Sequence, residues 1–147
     1  MQKQKLTGWL ILFIIWVGIT GINGLGSLGA AEANWRPHMA EHPSLRGAVM
    51  AFQFLTGAGI VAWLYTVWVL YQRQPGTLRQ AQISLLLGAV IRLSGLWSIV
   101  LFGGLPANMV QRLMPQVGLG TCVILLFAGA WYFYLLRSER VREIYGN

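Results

Sequence analysis

Two short stretches of the sequence contain residue types whose spacing could support chemistry. The first is HMAEH, which places His38, Glu41 and His42 at the H-x-x-E-H spacing of an inverted zinc-protease motif. Two histidines one helical turn apart can hold a zinc ion, and a neighbouring glutamate can act as a general base. Pro37 and Pro43 bracket the stretch, so no long helix is expected to hold these ligands rigidly. We therefore interpret the segment first as an ordinary loop, second as a weak metal-adsorbing site and third as an outer-face hydrolase site.

The second stretch is GAVIRLSGLW, an apolar run with one arginine, Arg92, at its centre. The run belongs to a segment that is apolar enough to cross a bilayer, so Arg92 is predicted near the middle of the membrane. Placing an arginine at that depth costs at least about 2.5–3.5 kcal/mol on insertion scales. The sequence has no aspartate, and its four glutamates lie outside the predicted helices. No acid of this chain is therefore expected to pair with Arg92.

The partners expected for Arg92 are uncharged polar side chains. Gln53 and Thr56 on the second predicted helix, Asn23 at the end of the first and Thr121 on the fourth are the candidates. In the functional interpretation, Arg92 receives an anion, which is a lipid headgroup, a carboxylate ligand or an acid of a partner subunit. In the structural interpretation, backbone carbonyls or water accept hydrogen bonds from a snorkelling arginine. The residues alone leave both interpretations open.

The composition predicts that Arg92 and its expected partners lie on membrane-spanning helices. Of 147 residues, 56% are hydrophobic and only 10% are charged, which is too apolar for a water-soluble core of this size. Four segments are long enough to cross a bilayer, which takes about 20 residues. They are residues 6–25, 47–71, 81–105 and 117–136. We therefore predict an all-α integral membrane bundle of four transmembrane helices, forming a single domain over residues 1–147.

The segments between the predicted helices carry three further expectations. Residues 26–46 are expected to form the main external loop, because glycines, prolines and polar residues accumulate there. Pro106 and Pro115 bracket a segment with apolar residues on one side, which predicts a short interfacial helix before the fourth transmembrane helix. The fourth helix is expected to continue beyond the membrane into a charged extension. The first apolar run is longer than the roughly 7–15 residues of a signal-peptide core, so it is predicted to be a retained helix.

The basic residues are distributed unequally between the two predicted sides of the membrane. Seven of them fall on the side of both chain termini, and three fall on the other side. The seven are Lys3, Lys5, Arg73, Arg79, Arg137, Arg140 and Arg142. The positive-inside rule therefore predicts that both termini are cytoplasmic. The net charge of +7 then reflects membrane orientation, and no nucleic-acid partner is expected.

Residue types that support cofactor chemistry are scarce in the predicted helices. No predicted helix contains a histidine, which haem ligation across a bundle would need. Ion-coupled transport relies on intramembrane Asp, Glu or His, and the predicted helices have none. Cys122 is the only cysteine, so an intramolecular disulfide cannot form. We expect a protein that is not an enzyme and binds no cofactor.

Several segments together resemble a known family. They are LTGWLIL at Leu6–Leu12, the second and third helices with their basic turn, the short segment before the fourth helix, and WYFYLLRSERVREIY at Trp131–Tyr145. Over nearly its whole length the chain resembles the bacterial membrane proteins of domain-of-unknown-function family 2569. The resemblance implies a four-helix inner-membrane protein without an established activity, and it brings no catalytic residues. Members often have an acid in the third helix and a proline among the aromatics of the last helix. This chain has the basic Arg92 in the third helix and Tyr132 and Phe133 in the last, which makes it a divergent member.

Three functional hypotheses follow. The leading one is a non-enzymatic accessory or scaffold subunit of a larger membrane complex, or of a homo-oligomer, in the bacterial inner membrane. The alternative is a binder of lipid or another amphiphile, with an intramembrane groove that places Arg92 and Gln53 against an anionic headgroup. The third is an outer-face metal-dependent hydrolase that uses His38, Glu41 and His42.

Overall fold

The chain folds into long helices that lie side by side. The computed structural model describes residues 8–72, 74 and 76–145, and this part of the chain contains no strand. The helices are α1 Gly8–Met39, α2 Pro43–Gln72, α3 Thr77–Phe102, α4 Ala107–Arg137 and the short α5 Glu139–Tyr145. The first four are long and apolar enough to span a membrane. The predicted all-α bundle of four transmembrane helices is therefore confirmed, and the chain is a multi-pass membrane protein.

The expected start of the first helix at Leu6 lies outside the described residues, as do Lys3, Lys5 and Arg73.

The bundle has two ends, which we call the α5 end and the Pro43 end. The α5 end contains the connection between α2 and α3 together with α5. The Pro43 end contains the connection between α1 and α2 and the connection between α3 and α4.

The pair α2–α3 forms the centre of the bundle, with α1 against α2 and α4 against α3. Hydrogen bonds join the pair along its length. The Ser44 hydroxyl donates to the Gly103 carbonyl at 3.0 Å, near the Pro43 end. Further along, the hydroxyls of Thr66 and Ser84 lie 2.7 Å apart and share a buried hydrogen bond. Because lipid supplies no hydrophobic drive for helices to associate, such bonds and close packing hold the pair together.

Aromatic rings join α1 to α4 toward the α5 end. The ring of Phe13 stacks on that of Phe127 with centroids 5.9 Å apart, and its centroid lies 4.5 Å from that of Trp131. Trp63 of α2 approaches Phe127 to 4.7 Å between centroids. These rings fill the space between the outer helices in this half of the bundle, and we call them the aromatic cluster.

The expected external loop at residues 26–46 is wrong, because α1 continues through most of this segment and α2 begins within it. The run AAEA, residues 30–33, consists of strong helix formers. The glycine-rich part of α1 packs against α2, where the Gln53 amide donates to the Leu28 carbonyl at 3.0 Å. Pro37 lies in the last turn of α1, where its missing N–H removes one intrahelical hydrogen bond without ending the helix.

The short interfacial helix expected between Pro106 and Pro115 is not a separate element. A single helix, α4, begins at Ala107 and passes through Pro115 to its end at Arg137. Proline removes one backbone donor, but its φ is compatible with a helix. A chain in lipid must satisfy its other backbone groups internally, which favours one continuous helix over a break.

The helix does not continue unbroken into the charged C-terminal extension. Ser138 has an extended backbone with ψ 112°, and it separates α4 from α5. The short helix α5 packs back onto the bundle, with Val141 and Tyr145 buried. The Tyr145 hydroxyl donates to the carbonyl of Leu70, near the end of α2. A tertiary contact that is distant in sequence therefore determines the direction of α5.

Glycine at position 88 is predicted to be required for the close approach of α2 and α3. A Cβ at Gly88 would lie 2.6 Å from Trp63 Nε1 and 3.2 Å from Ala62 Cβ. We expect Gly88→Ala to lower the free energy of unfolding by about 1–3 kcal/mol, as overpacking does elsewhere. Circular dichroism during unfolding in mixed micelles measures this change.

The matched control is Gly57→Ala, because no heavy atom would lie within 4 Å of a Cβ at Gly57. This variant should leave the free energy of unfolding unchanged or raise it by up to about 1 kcal/mol, the helix propensity gained. Equal effects of the two variants would contradict the proposed role of Gly88.

Candidate functional site

Two glycines create the space that Arg92 and Trp63 occupy between α2 and α3. A Cβ on Gly59 of α2 would collide with the γ carbon of Arg92 on α3. One turn further along, a Cβ on Gly88 of α3 would collide with the indole of Trp63 on α2. The long side chain of each helix therefore packs over a glycine of its neighbour. This reciprocal packing positions the arginine inside the membrane-spanning part of the protein.

The guanidinium of Arg92 lies over the indole ring of Trp63, with 4.5 Å between Arg92 Cζ and the ring centroid. The ring itself is held in place, since Trp63 Nε1 donates to the Leu85 carbonyl at 3.2 Å and the side chain is 2% exposed. A cation–π contact away from water contributes about 2 kcal/mol or more. It therefore offsets part of the cost of placing a cation at this depth.

The hydrogen-bonding groups of Arg92 have no protein partner in the described part of the chain. There, the guanidinium forms neither a hydrogen bond nor an ion pair, and Trp63 is its aromatic contact. The arginine is half-buried, so part of its surface stays accessible from outside the protein. Guanidinium carries five N–H donors in a planar arrangement. These donors are therefore available to a group outside the described part of the chain.

Arg92 lines a groove of about 430 Å³, which we call the Arg92 groove. All four long helices contribute to it. Its polar lining residues are Ser27, Thr56, Arg92 and Gln116, and its apolar ones include Phe52, Leu96 and Leu119. The Thr56 hydroxyl forms no hydrogen bond with any described residue. The groove lies beyond the aromatic cluster, where α1 and α4 present Ser27 and Gly120 instead of rings. Small side chains leave the space that rings fill elsewhere.

The structure brings only some of the expected polar partners toward Arg92. Thr56 lines the same groove as Arg92, as expected. Gln53 is engaged elsewhere, by its bond to a carbonyl of α1. Asn23 is exposed and does not line the groove, because α1 stays helical at this point and turns this residue outward.

Thr121 is also engaged away from Arg92. Its hydroxyl accepts a hydrogen bond from Trp97 Nε1 at 3.1 Å and donates to the Val117 carbonyl at 2.8 Å. The hydroxyl thereby connects α3 to α4. Its role in the structure is to join helices.

The residues of the inverted zinc-protease spacing lie at the Pro43 end. His38 belongs to the last turn of α1, and Glu41 and His42 belong to the connection that follows. The ring centroid of His38 lies 6.3 Å from that of Trp35, and Glu41 is exposed. Among the described residues, no group of three or more His, Cys, Asp or Glu is placed to hold a metal ion. The geometry therefore gives no support to the hydrolase hypothesis.

Trp63 was not predicted from the sequence to be a functional residue, because tryptophans in apolar helices ordinarily contact lipid or other helices. The signal that could have found it is a pair of matching spacings. Trp63 follows Gly59 by four residues, and Arg92 follows Gly88 by four residues. On two antiparallel neighbouring helices, such spacings allow each large side chain to lie over the glycine opposite.

A double-mutant cycle of Trp63→Phe and Arg92→Met should reveal direct coupling between the two side chains. We expect a coupling free energy of about 1–2 kcal/mol, because the indole face attracts the guanidinium more strongly than a benzene ring does. Unfolding of the wild type, both single variants and the double variant in mixed micelles gives this quantity. Strict additivity of the two substitutions would show that the indole ring stabilises the guanidinium no better than a phenyl ring does.

Comparison with known proteins places the whole chain in one family. The family described as "Protein of unknown function (DUF2569)" matches residues 3–146, which confirms the resemblance found in the sequence. No curated protein and no solved structure matches the chain. A match over nearly the entire chain includes all four long helices and both residues of the Arg92–Trp63 contact. The chain therefore belongs to the DUF2569 family of proteins of unknown function.

Proposed function

We propose that this protein, without catalysing a reaction, binds the acidic group of an amphiphile in the Arg92 groove. The observation that carries the proposal is that Arg92 faces this groove without a hydrogen bond or an acid partner among the described residues. Here an amphiphile is a molecule with an apolar tail and a carboxylate or phosphate head. Such a ligand supplies the anion that this chain does not supply at that depth.

The size and lining of the groove suit a small ligand. Its volume of about 430 Å³ falls within the range of about 300–1,000 Å³ typical of small-molecule sites. Phe52, Leu96 and Leu119 provide apolar walls for a tail, and the Thr56 hydroxyl can donate to a carboxylate or phosphate. These groups supply both halves of an amphiphile's binding site.

Arginine is the side chain best suited to hold such a head group. Its planar guanidinium binds carboxylate and phosphate through two parallel hydrogen bonds. Because Trp63 and Gly59 already confine the Arg92 side chain, less conformational freedom is lost when the anion arrives. An anion also neutralises a charge that is unfavourable within the hydrocarbon region.

The accessory subunit expected first from the sequence stays a competing proposal. In that case, a carboxylate of a partner subunit takes the place of the ligand's head group. The groove can accept one inserted side chain, but a volume of about 430 Å³ is too small to admit a whole helix. The apolar lining around the arginine favours a ligand with a tail, which is why we prefer the amphiphile.

We further propose that the protein lies in the bacterial inner membrane with both termini in the cytoplasm. The proposal rests on the excess of basic residues at the α5 end, where Arg79, Arg137 and Arg142 are exposed. Fusing a cytoplasm-active reporter after Asn147 should give a signal, and a reporter active only outside the cytoplasm should give none. The reverse pattern would contradict this orientation.

Native mass spectrometry of the gently solubilised protein tests the proposed ligand. We expect the wild type to retain an acidic amphiphile and Arg92→Met to lose it, because the substitution keeps side-chain volume and removes the cation. Arg92→Lys should retain part of the binding, since it keeps the charge without the planar pair of donors. The matched control is Arg112→Met, which removes an exposed arginine outside the groove and should keep the ligand.

Two other outcomes would overturn the amphiphile proposal. If the wild type retains a protein subunit that Arg92→Met releases, the accessory role is correct. If wild type and variant appear as the same bare species with equal stability, Arg92 is a structural charge held by Trp63 alone.

A further inference from the structure

A second groove lies at the α5 end, away from the Arg92 groove, and we call it the Arg79 groove. Its volume is about 530 Å³, and it lies between the beginning of α3, the end of α4 and α5. The lining residues that matter here are Leu78, Arg79, Gln82, Leu135, Leu136 and Arg142. The groove therefore combines two arginines and one amide with three leucines.

Neither arginine of this groove is neutralised by an acid in the described part of the chain. Glu139 and Glu143 lie on α5 beside Arg142, yet neither lines the groove, and no described residue forms an ion pair with Arg79 or Arg142. Arg142 Nη2 donates to the Leu136 carbonyl at 2.9 Å, which holds the guanidinium at the edge of the groove. The groove is therefore positively charged and one of its two cations is held in position.

The break at Ser138 is what brings the second arginine to the groove. If α4 continued straight, Arg142 would extend away from the bundle along the helix axis. Instead, α5 turns back, with Val141 and Tyr145 buried and the Tyr145 hydroxyl bonded to the Leu70 carbonyl. The fold thus brings Arg79, at the beginning of α3, and Arg142, on α5 after the end of α4, to one place.

The position of the groove corresponds to the headgroup region of a membrane. Arg79 lies in the first turn of α3, and Leu135 and Leu136 lie in the last turn of α4, where two membrane spans end. Leu78 and Leu136 continue the apolar surface of the spans up to the arginines. A ligand that matches this groove therefore has a negative group that contacts the arginines and an apolar part that extends into the bilayer.

We propose that the Arg79 groove binds the phosphate of an anionic membrane phospholipid, with Arg79 and Arg142 at the phosphate. Arginine binds phosphate oxygens through strong, charge-assisted hydrogen bonds. Basic pockets between transmembrane helices bind anionic headgroups in this way. Gln82 donates to the phosphate or the glycerol oxygens, and Leu78 and Leu136 contact the first acyl carbons. This site is separate from the Arg92 groove and does not depend on the function proposed there.

The test is a titration of the full-length protein in neutral detergent, followed by native mass spectrometry. The probes are phosphatidylglycerol, which is anionic, and phosphatidylcholine, which has a phosphate but no net charge. We expect Arg79→Gln to weaken phosphatidylglycerol binding about fivefold, equivalent to about 1 kcal/mol for one arginine near the membrane surface. Arg79→Gln with Arg142→Gln should weaken it roughly 25-fold, and phosphatidylcholine should bind weakly to all variants.

The matched control is Arg137→Gln, which removes an exposed arginine from the same end of the bundle but outside the groove. This variant should change the affinity by less than about twofold if the groove is a defined site. An equal loss in Arg137→Gln and Arg79→Gln would show diffuse attraction to the basic end and overturn the proposal. So would equal binding of the two lipids, or displacement of phosphatidylglycerol by an equal concentration of inorganic phosphate.

One further variant tests whether the measured binding occurs at the Arg79 groove. Arg92→Met should bind phosphatidylglycerol at the Arg79 groove as the wild type does, whatever happens at the Arg92 groove. If it loses that binding as fully as the double variant does, the inferred second site is wrong. The single variant Arg79→Gln decides the matter if Arg142→Gln loosens α5, because Arg79 forms no hydrogen bond with another described residue.

Discussion

The contact between Arg92 and Trp63 is the constraint on which the arrangement of this bundle depends. A positive charge within the membrane-spanning region has to be stabilised by the protein, and the described part of the chain offers no acid to do so. The indole face of Trp63 takes that role at 4.5 Å from the guanidinium carbon. Both side chains are large, so α2 and α3 can approach only because each faces a glycine on its neighbour.

The other helices are arranged around this central pair. Toward the α5 end, Trp63 also contacts Phe127, so the ring that holds the arginine belongs to the aromatic cluster that joins α1 to α4. Rings provide large contact areas with preferred geometries, which compensates for the lack of a hydrophobic drive in lipid. Beyond the cluster, small residues face each other and leave the Arg92 groove. The position along α1 and α4 at which the aromatic residues end therefore decides both where the helices pack through rings and where the Arg92 groove begins.

Two grooves at different depths show the same charge pattern. Each contains arginine without an acid partner among the described residues, one groove within the membrane spans and one where they end. The sequence as a whole has 11 basic and 4 acidic residues, so the chain has too few acids to pair with most of its cations. Membership of DUF2569 extends over the whole fold but supplies no activity, so the chemistry of these grooves is the main guide to function.

The sequence by itself determined the fold class, the number of membrane spans and the isolation of Arg92 from acids, because these follow from composition and from the length of apolar runs. The residues at which the helices begin and end could be predicted less well from the sequence. The glycine-rich end of α1 looked like a loop, yet Gln53 and the AAEA run keep it helical, and Pro115 lies inside α4 because lipid penalises open backbone groups.

Only the tertiary structure decided which side chains meet. Among the polar partners expected for Arg92, Thr56 lines its groove, while the Gln53 amide is bonded to a carbonyl of α1. Trp63 was not distinguished from the other tryptophans in the sequence, since the matching Gly–Trp and Gly–Arg spacings gain meaning only once α2 and α3 are known to face each other. The return of α5 likewise depends on a bond between residues 75 positions apart. Periodicity and composition are local properties, whereas the rotation of each helix about its axis is set by contacts that no local pattern contains.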